Sequence, residues 1–199
     1  MDKMTASLRR SVALALVALA AVGVSGCHKH EQATAVQKAA ATKAATAVGT
    51  SQNVLDALGG AANLGAFTKL AKSAGLEKTL SGVGDYTLFA PTDAALAKLS
   101  DAQRKLLESA DGRPQLLAML RQHIATGYIT QTALEKALAK NGGAVSLASM
   151  GGSPVRLHRQ GSAIFLGQGE AGPKIAAPPI VARNGVIYPI DQVIAPTKD

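Results

Sequence analysis

Residues 86–96 read Tyr86-Thr87-Leu88-Phe89-Ala90-Pro91-Thr92-Asp93-Ala94-Ala95-Leu96, and within this short run the chain changes from the pattern of a strand to that of a helix. Tyr86, Leu88 and Ala90 alternate with Thr87 and Phe89, and the aromatic and β-branched content suits a strand buried on at least one face. Pro91 has no N–H for a sheet ladder and biases Ala90 away from the helical region, so the spacing predicts that the strand stops there. Thr92 is then placed as the N-cap of a helix, its hydroxyl accepting from the free N–H groups of the first turn. Asp93 sets a negative charge at the positive end of the helix dipole. Ala94, Leu96 and Leu99 give that short helix an apolar side.

Near the other end of the chain, Ile180, Val181 and Ala182 lead through Arg183 to Asn184-Gly185, and Val186–Ile190 returns. Asn-Gly between two apolar runs predicts a two-residue type I′ hairpin turn, with positive φ at Gly185. Pro189 is expected where no ladder donor is needed. Asp191 follows the strand and is expected to accept backbone N–H bonds in a turn.

YTLFAPTDAAL at 86–96 and NGVIYPIDQVIAP at 184–196, roughly a hundred residues apart, resemble the two signature segments of the fasciclin domain. LRQHIATGYIT at 120–130 resembles the family's middle segment, with His123 as the matching histidine. The resemblance implies an α+β fold, a single fasciclin-like domain in which a helical N-terminal half packs on a compact β-sandwich or wedge. It makes 86–90 and 186–190 central strands. It assigns structural motif roles to Thr87, Phe89, Ala90, Pro91, Thr92, Asp93, His123, Asn184, Gly185, Val186, Ile187 and Asp191. Two departures stand out. Tyr188-Pro189 replaces the family's usual histidine and apolar residue, and Gln122 stands where animal members carry a tyrosine linked to integrin-dependent adhesion, so integrin binding does not carry over. A histidine at a helix-to-strand junction is expected to hold backbone carbonyls or a neighbouring carboxylate in place, not to perform chemistry.

The chain begins with Lys3, Arg9 and Arg10, followed by an uncharged run of Ala, Val, Leu, Gly and Ser over 11–24. That run is shorter than the roughly eighteen residues a spanning helix needs, and its basic front end is that of a secretory signal. Val24-Ser25-Gly26-Cys27 places small residues before the single cysteine and resembles a bacterial lipobox, which implies a signal peptide over 1–26 and lipidation of Cys27. Three acyl chains exceed what stable membrane anchoring requires. His28 stands where lipoproteins kept at the inner membrane typically carry aspartate, so the resemblance points to a cell-envelope address at the outer membrane, facing the periplasm or the cell surface. Cys27, His28 and His30 make a poor metal set, because acylation consumes the sulfur. Residues 31–50 are nearly all Ala, Thr, Gln, Lys and Val with little to bury, so 27–50 reads as a flexible tether carrying the cysteine. As a coil it would hold the domain at 51–199 about 25–30 Å from the lipid.

Helical periodicity runs through the first half of the domain. Val54, Leu55 and Leu58 form a first turn. Leu64, Phe67, Leu70, Ala71 and Ala74 repeat the stripe up to Gly75. Ser100 and Gln103 read as a capping box for a helix carrying Leu106 and Leu107. Pro114 suits the first turn of the helix carrying Leu116, Leu117, Leu120 and Ile124. Thr130 or Thr132 can cap a helix with Leu134 and Leu138. Short runs at 144–148, 154–158 and 162–166, separated by glycine turns, read as strands, with Val155 and Leu157 alternating against Arg156 and His158.

A net charge of +8 favours anionic polymers on a bacterial surface, yet no block of five like charges occurs and the cations fall at the spacing of solvated helix faces. With three Phe, three Tyr and no Trp, none interleaved with a basic run, specific nucleic-acid binding is not expected. G-x-S-x-G, H-E-x-x-H and P-loop patterns are missing, so no enzyme activity, cofactor or metal is expected. The reading is noncatalytic adhesion or binding at the cell surface. Its partners are the membrane, through acylated Cys27, and an envelope or matrix polysaccharide or surface protein. Two alternatives stay open: a periplasmic ligand-binding or signalling partner, which needs an apolar pocket with convergent polar groups, and an unrecognised envelope enzyme, which needs a cleft of titratable groups.

Overall fold

Two strands with no exposed face form the centre of the fold. In the computed structural model, which describes residues 51–167 and 172–194, β1 (Tyr86–Pro91) and β7 (Gly185–Ile190) run parallel, with Leu88 beside Ile187 and Phe89 beside Tyr188. All of β7 and all of β1 after Tyr86 are buried, as a parallel pair covered on both sides requires. The signal segment 1–26, Cys27, the tether 27–50 and Pro196 lie outside the described residues.

The pleat sends alternate residues to two cores. Leu88, Ala90 and Ile187 join a cluster filled by the helices, and Phe89, Val186, Tyr188 and Ile190 join a second one inside the β structure. The first cluster is covered by α1 (Val54–Gly60), α2 (Gly65–Ser73), α3 (Glu77–Ser81), α4 (Asp93–Ala97), α5 (Asp101–Glu108) and α6 (Arg113–Gln122). α1 is capped by Asn53, and α4 by Thr92, whose hydroxyl accepts from the Ala95 N–H. α5 carries the full Ser100–Gln103 capping box, and Pro114 sits in the first turn of α6. α2 ends at Gly75, whose φ of +77° only glycine adopts cheaply, while the Leu76 N–H returns to the Ala71 carbonyl at 3.0 Å. α5 departs from its sequence pattern. It buries no residue, Leu106 is 45% exposed, and only Leu107 packs against the core.

β2 (Ile124–Thr126) pairs antiparallel with β1, and β6 (Ile180–Ala182) pairs antiparallel with β7, giving the sheet order β2-β1-β7-β6. A second antiparallel sheet holds β3 (Ala144–Leu147), β4 (Val155–Gln160) and β5 (Ala163–Leu166), with α7 (Gln131–Lys140) packed on β3 and capped by Thr130. Single bridges link the sheets at both sides. Ala125 meets Ser149 on one side, and on the other Lys174 meets Phe165 while Ile175 meets Ile190. The wedge thus closes around Leu134, Leu138, Val155, Leu157 and Tyr188.

Two turns of the chain differ from the sequence pattern. β1 includes Pro91, opposite Ile190, where the strand was expected to stop. Even-numbered residues of β1 face β7: the Tyr86 N–H bonds the Asn184 carbonyl (3.1 Å) and the Thr92 N–H the Ile190 carbonyl (2.9 Å). Odd-numbered residues face the other way, and the Phe89 N–H bonds the His123 carbonyl (2.9 Å). Pro91 belongs to the odd set and lies past the start of β2, so its missing N–H deprives no ladder bond. Pro189 likewise turns its nitrogen away from β1, beyond Ile180, and its carbonyl on that side accepts from the Ala176 N–H at 2.8 Å. The second difference is the hairpin. Ala182 pairs directly with Gly185, so the two turn residues are Arg183 and Asn184, and Gly185 opens β7 without a positive φ. The register of β7 against β1 overrides the local Asn-Gly preference.

Candidate binding site

The three motif segments meet at one place. β1 and β7 are hydrogen-bonded neighbours, and on the opposite edge of β1 the His123 carbonyl accepts from the Phe89 N–H. Asn184 is the busiest side chain there. Its Oδ1 accepts from the Val54 N–H (2.8 Å), and its Nδ2 donates to the Leu80 and Gly82 carbonyls (2.9 Å each). One amide thereby serves both the first turn of α1, beside the Asn53 cap, and the end of α3. Gly185 is next to it for a steric reason. A Cβ there would strike the Tyr86 carbonyl oxygen and come within 2.7 Å of Val54 Cγ2, so glycine is what lets β7 approach β1 under α1. Val186 and Ile187 are fully buried, one in each core.

On β1, the buried Thr87 hydroxyl donates to the Gly127 carbonyl (2.7 Å) and accepts from the Ile129 N–H (3.0 Å), which ties the strand to the loop after β2. Phe89 stacks on Tyr188, with ring centroids 5.7 Å apart. Tyr188, the departure from the family pattern, is accommodated because its hydroxyl donates to the Ile129 carbonyl at 2.9 Å, and burial pushes its pKa well above that of a free tyrosine. Ala90 is buried among the helices. Asp93 serves more than its own helix. Its Oδ1 accepts from the Ala66 N–H (2.8 Å) in the first turn of α2, whose N-cap, Leu64, has no side chain able to do so. Nothing in the sequence around Gly65 signals that partner, because the acceptor comes from another element.

His123 is completely buried, with Phe67 against its ring at 6.1 Å. Nδ1 lies 2.8 Å from the Met119 carbonyl, which can only accept, so Nδ1 carries the proton. Nε2 accepts from the Ile194 N–H at 3.0 Å. Burial lowers its pKa from 6.5 to about 4, partly offset by the Met119 bond. The neutral imidazole is fully engaged and has no access to a substrate. Asp191 accepts from the Lys174 N–H (2.9 Å) and has the Lys174 ammonium 3.9 Å away. With His123 bound to Met119 and Ile194, and Asp191 bound to Lys174, the two do not form an acid–base pair.

Two grooves remain. One of about 500 Å³ lies between α2, α4 and α5, with Leu70, Leu96 and Leu107 below and Lys69, Arg104 and Glu108 at its rim. The other, about 310 Å³, lies between α7 and the β4–β5 end, lined by Leu134, Glu135, Arg159, Ile164, Pro178 and Tyr188. Neither is enclosed, and their deepest polar groups are already spent: Asp93 on Ala66 in the first, the Tyr188 hydroxyl on Ile129 in the second. Among the described residues no group of three or more His, Cys, Asp or Glu is placed to hold a metal, and no helix is long and apolar enough to cross a membrane. The outer face of the second sheet brings together Arg156, His158, Phe165 and Lys174. Alternation along β4 marked Arg156 and His158 as outward, but the register that sets Phe165 beside His158 was not readable from it.

A family model described as the fasciclin domain matches residues 62–196, and the chain belongs to that family. It is 25% identical over 187 residues to protein sll1483 of a Synechocystis strain, covering 94% of this chain and 96% of that one. It is also similar to the pig transforming growth factor-beta-induced protein ig-h3, with 29% identity over 144 residues, 72% of this chain but only 19% of that protein. Among solved structures, a FAS1 domain pair from the insect cell adhesion molecule Fasciclin I superposes with a TM-score of 0.56 at 19% identity, covering 74% of this chain and 52% of that one. The likeness confirms the α+β fasciclin fold.

Proposed function

We propose that the protein is a noncatalytic adhesion or binding module displayed at the bacterial cell surface, its domain held off the membrane by the 27–50 tether and anchored through acylated Cys27. The observation that carries the noncatalytic part is the state of the motif residues: Thr87, Asp93, His123, Asn184 and Asp191 each commit a polar side-chain atom to a backbone partner. Chemistry spent on rigidity leaves recognition to the exterior. Membership of the fasciclin family and the likeness to an insect cell adhesion molecule favour the same reading.

The test has two arms. Cys27→Ser should abolish lipid labelling and leave the precursor unprocessed, and unchanged membrane partitioning of that variant would remove the anchor. A deletion strain should attach less well to polysaccharide- or matrix-coated surfaces and be restored by the wild-type chain. Normal attachment on every surface would sink adhesion, and binding of the purified protein that vanishes at moderate salt would mean that net charge alone was acting.

A further inference from the structure

Val155 and Leu157 of β4 point into the wedge core, which turns Arg156 and His158 to the opposite face of the sheet. Backbone register then assembles a row across that face. Ala144 pairs with His158, His158 pairs with Phe165, and Phe165 bridges to Lys174. In the adjoining row Ser146 pairs with Arg156, whose carbonyl accepts from the Gly167 N–H at 2.8 Å. The His158 and Phe165 rings stack at 5.6 Å with an interplanar angle of 19°. Ala144, Ser146, Ala163 and Gly167 around them are small, while Arg156 and Gln160 flank His158 along β4. Phe165 belongs to neither core and is half-buried, while Arg156 and Lys174 beside it are exposed. Among the described residues no carboxylate pairs with Arg156, and the one near Lys174, Asp191, is held by the Lys174 backbone N–H.

We propose that this face binds an acidic polysaccharide, with a sugar ring packed against Phe165 and a carboxylate of the chain met by the Arg156 guanidinium. The inference rests on the surface-binding reading above and names its ligand class and site. An aromatic face carries negative quadrupole density that attracts the polarised C–H groups of a sugar ring. A guanidinium forks onto a carboxylate with two parallel hydrogen bonds, which an ammonium cannot do. A nucleic acid would call for successive aromatic platforms along a cationic track, and here a single stacked pair has cations on two sides.

The purified full-length protein is titrated calorimetrically with a defined oligogalacturonate at low and moderate salt, with a neutral dextran oligosaccharide and a single-stranded DNA of matched charge in parallel. Saturable oligogalacturonate binding that survives moderate salt is expected, weakened about tenfold in Phe165→Ala, for a lost aromatic contact, and in Arg156→Ala, for a lost charged pair. Lys69→Ala on α2 should leave it unchanged. Arg156 is exposed, so Arg156→Ala carries the test alone if Phe165→Ala melts below wild type. No binding, unchanged affinity in Arg156→Ala, or equal affinity for the DNA would overturn the proposal. The two readings fail separately. Wild-type attachment of cells carrying Arg156→Ala overturns this site and leaves adhesion standing, whereas normal attachment of the deletion strain overturns adhesion and leaves the calorimetric result intact.

Discussion

Acid should weaken this fold through one imidazole. His123 in the folded protein holds its proton on Nδ1, against the Met119 carbonyl, and uses Nε2 to accept from Ile194, so a second proton would set two N–H donors against each other. Its pKa is lowered to about 4, against 6.5 when it is free of the fold. Below pH 6.5 the unfolded chain therefore takes up a proton that the folded chain refuses until about pH 4. The stabilisation is fully present above the higher value and is lost as pH falls between the two. At 1.36 kcal/mol per unit the whole window is worth about 3 kcal/mol, of which about 2.5 kcal/mol falls between pH 7 and 4.5. Carboxylates titrate in part of that range as well, so the contribution is isolated by comparison. Urea unfolding is measured at both pH values for wild type and for His123→Asn, which has no titrating group at that position. The variant will be less stable at neutral pH, but its loss on acidification should be smaller than that of wild type by the amount above. Equal losses in the two proteins would refute the reasoning. A further check is local: the protection of the Ile194 amide, taken relative to its intrinsic exchange rate at each pH, should fall on acidification ahead of that of the β7 amides.

Substitutions at three positions probe the packing of the motif segments. Gly185→Ala should cost about 3 kcal/mol or more in chemical denaturation, because its Cβ strikes the β1 backbone. Gly185→Asn discriminates between causes, since a positive-φ turn would tolerate asparagine, and near wild-type stability would restore the turn explanation. Asn184→Ala strips partners from the Val54 N–H and from the Leu80 and Gly82 carbonyls, and should lower stability by about 3 kcal/mol. A loss within 0.5 kcal/mol or so in urea titration would mean that water replaces the amide. Asp93→Ala should cost about 1–2 kcal/mol and accelerate hydrogen exchange at Ala66 on α2, 27 residues away in sequence; acceleration confined to α4 would show that the cross-helix cap contributes nothing.

Much of this architecture could be read from short-range patterns. The alternation of Tyr86–Ala90 was legible because a strand covered on two faces still sorts its side chains by parity. The caps at Thr92, Ser100 and Thr130 were legible because each satisfies N–H groups within the next three residues. Asn184 and Gly185 were recognised as special, but for a reason that belongs to isolated hairpins. Their actual constraints come from α1, α3 and β1, more than ninety residues earlier in the chain. Leu106 looked apolar enough for a core, yet α5 lies at the rim of a groove, where only the neighbouring Leu107 has a surface to cover.

The sequence by itself determined the order of elements, their caps and the alternation that divides strand residues between two cores, because these depend on bonds and packing periods within one turn or one pleat. Only the tertiary structure decided what the polar motif residues bind. It made Asp93 the cap of a second helix, locked His123 neutral between Met119 and Ile194, moved the hairpin turn to Arg183-Asn184, and lined up His158, Phe165 and Lys174 across one face. Each of these turns on strand register and helix placement. A shift of register by one residue reverses every side chain, and nothing local in the chain specifies which distant carbonyl or N–H a buried polar group will meet.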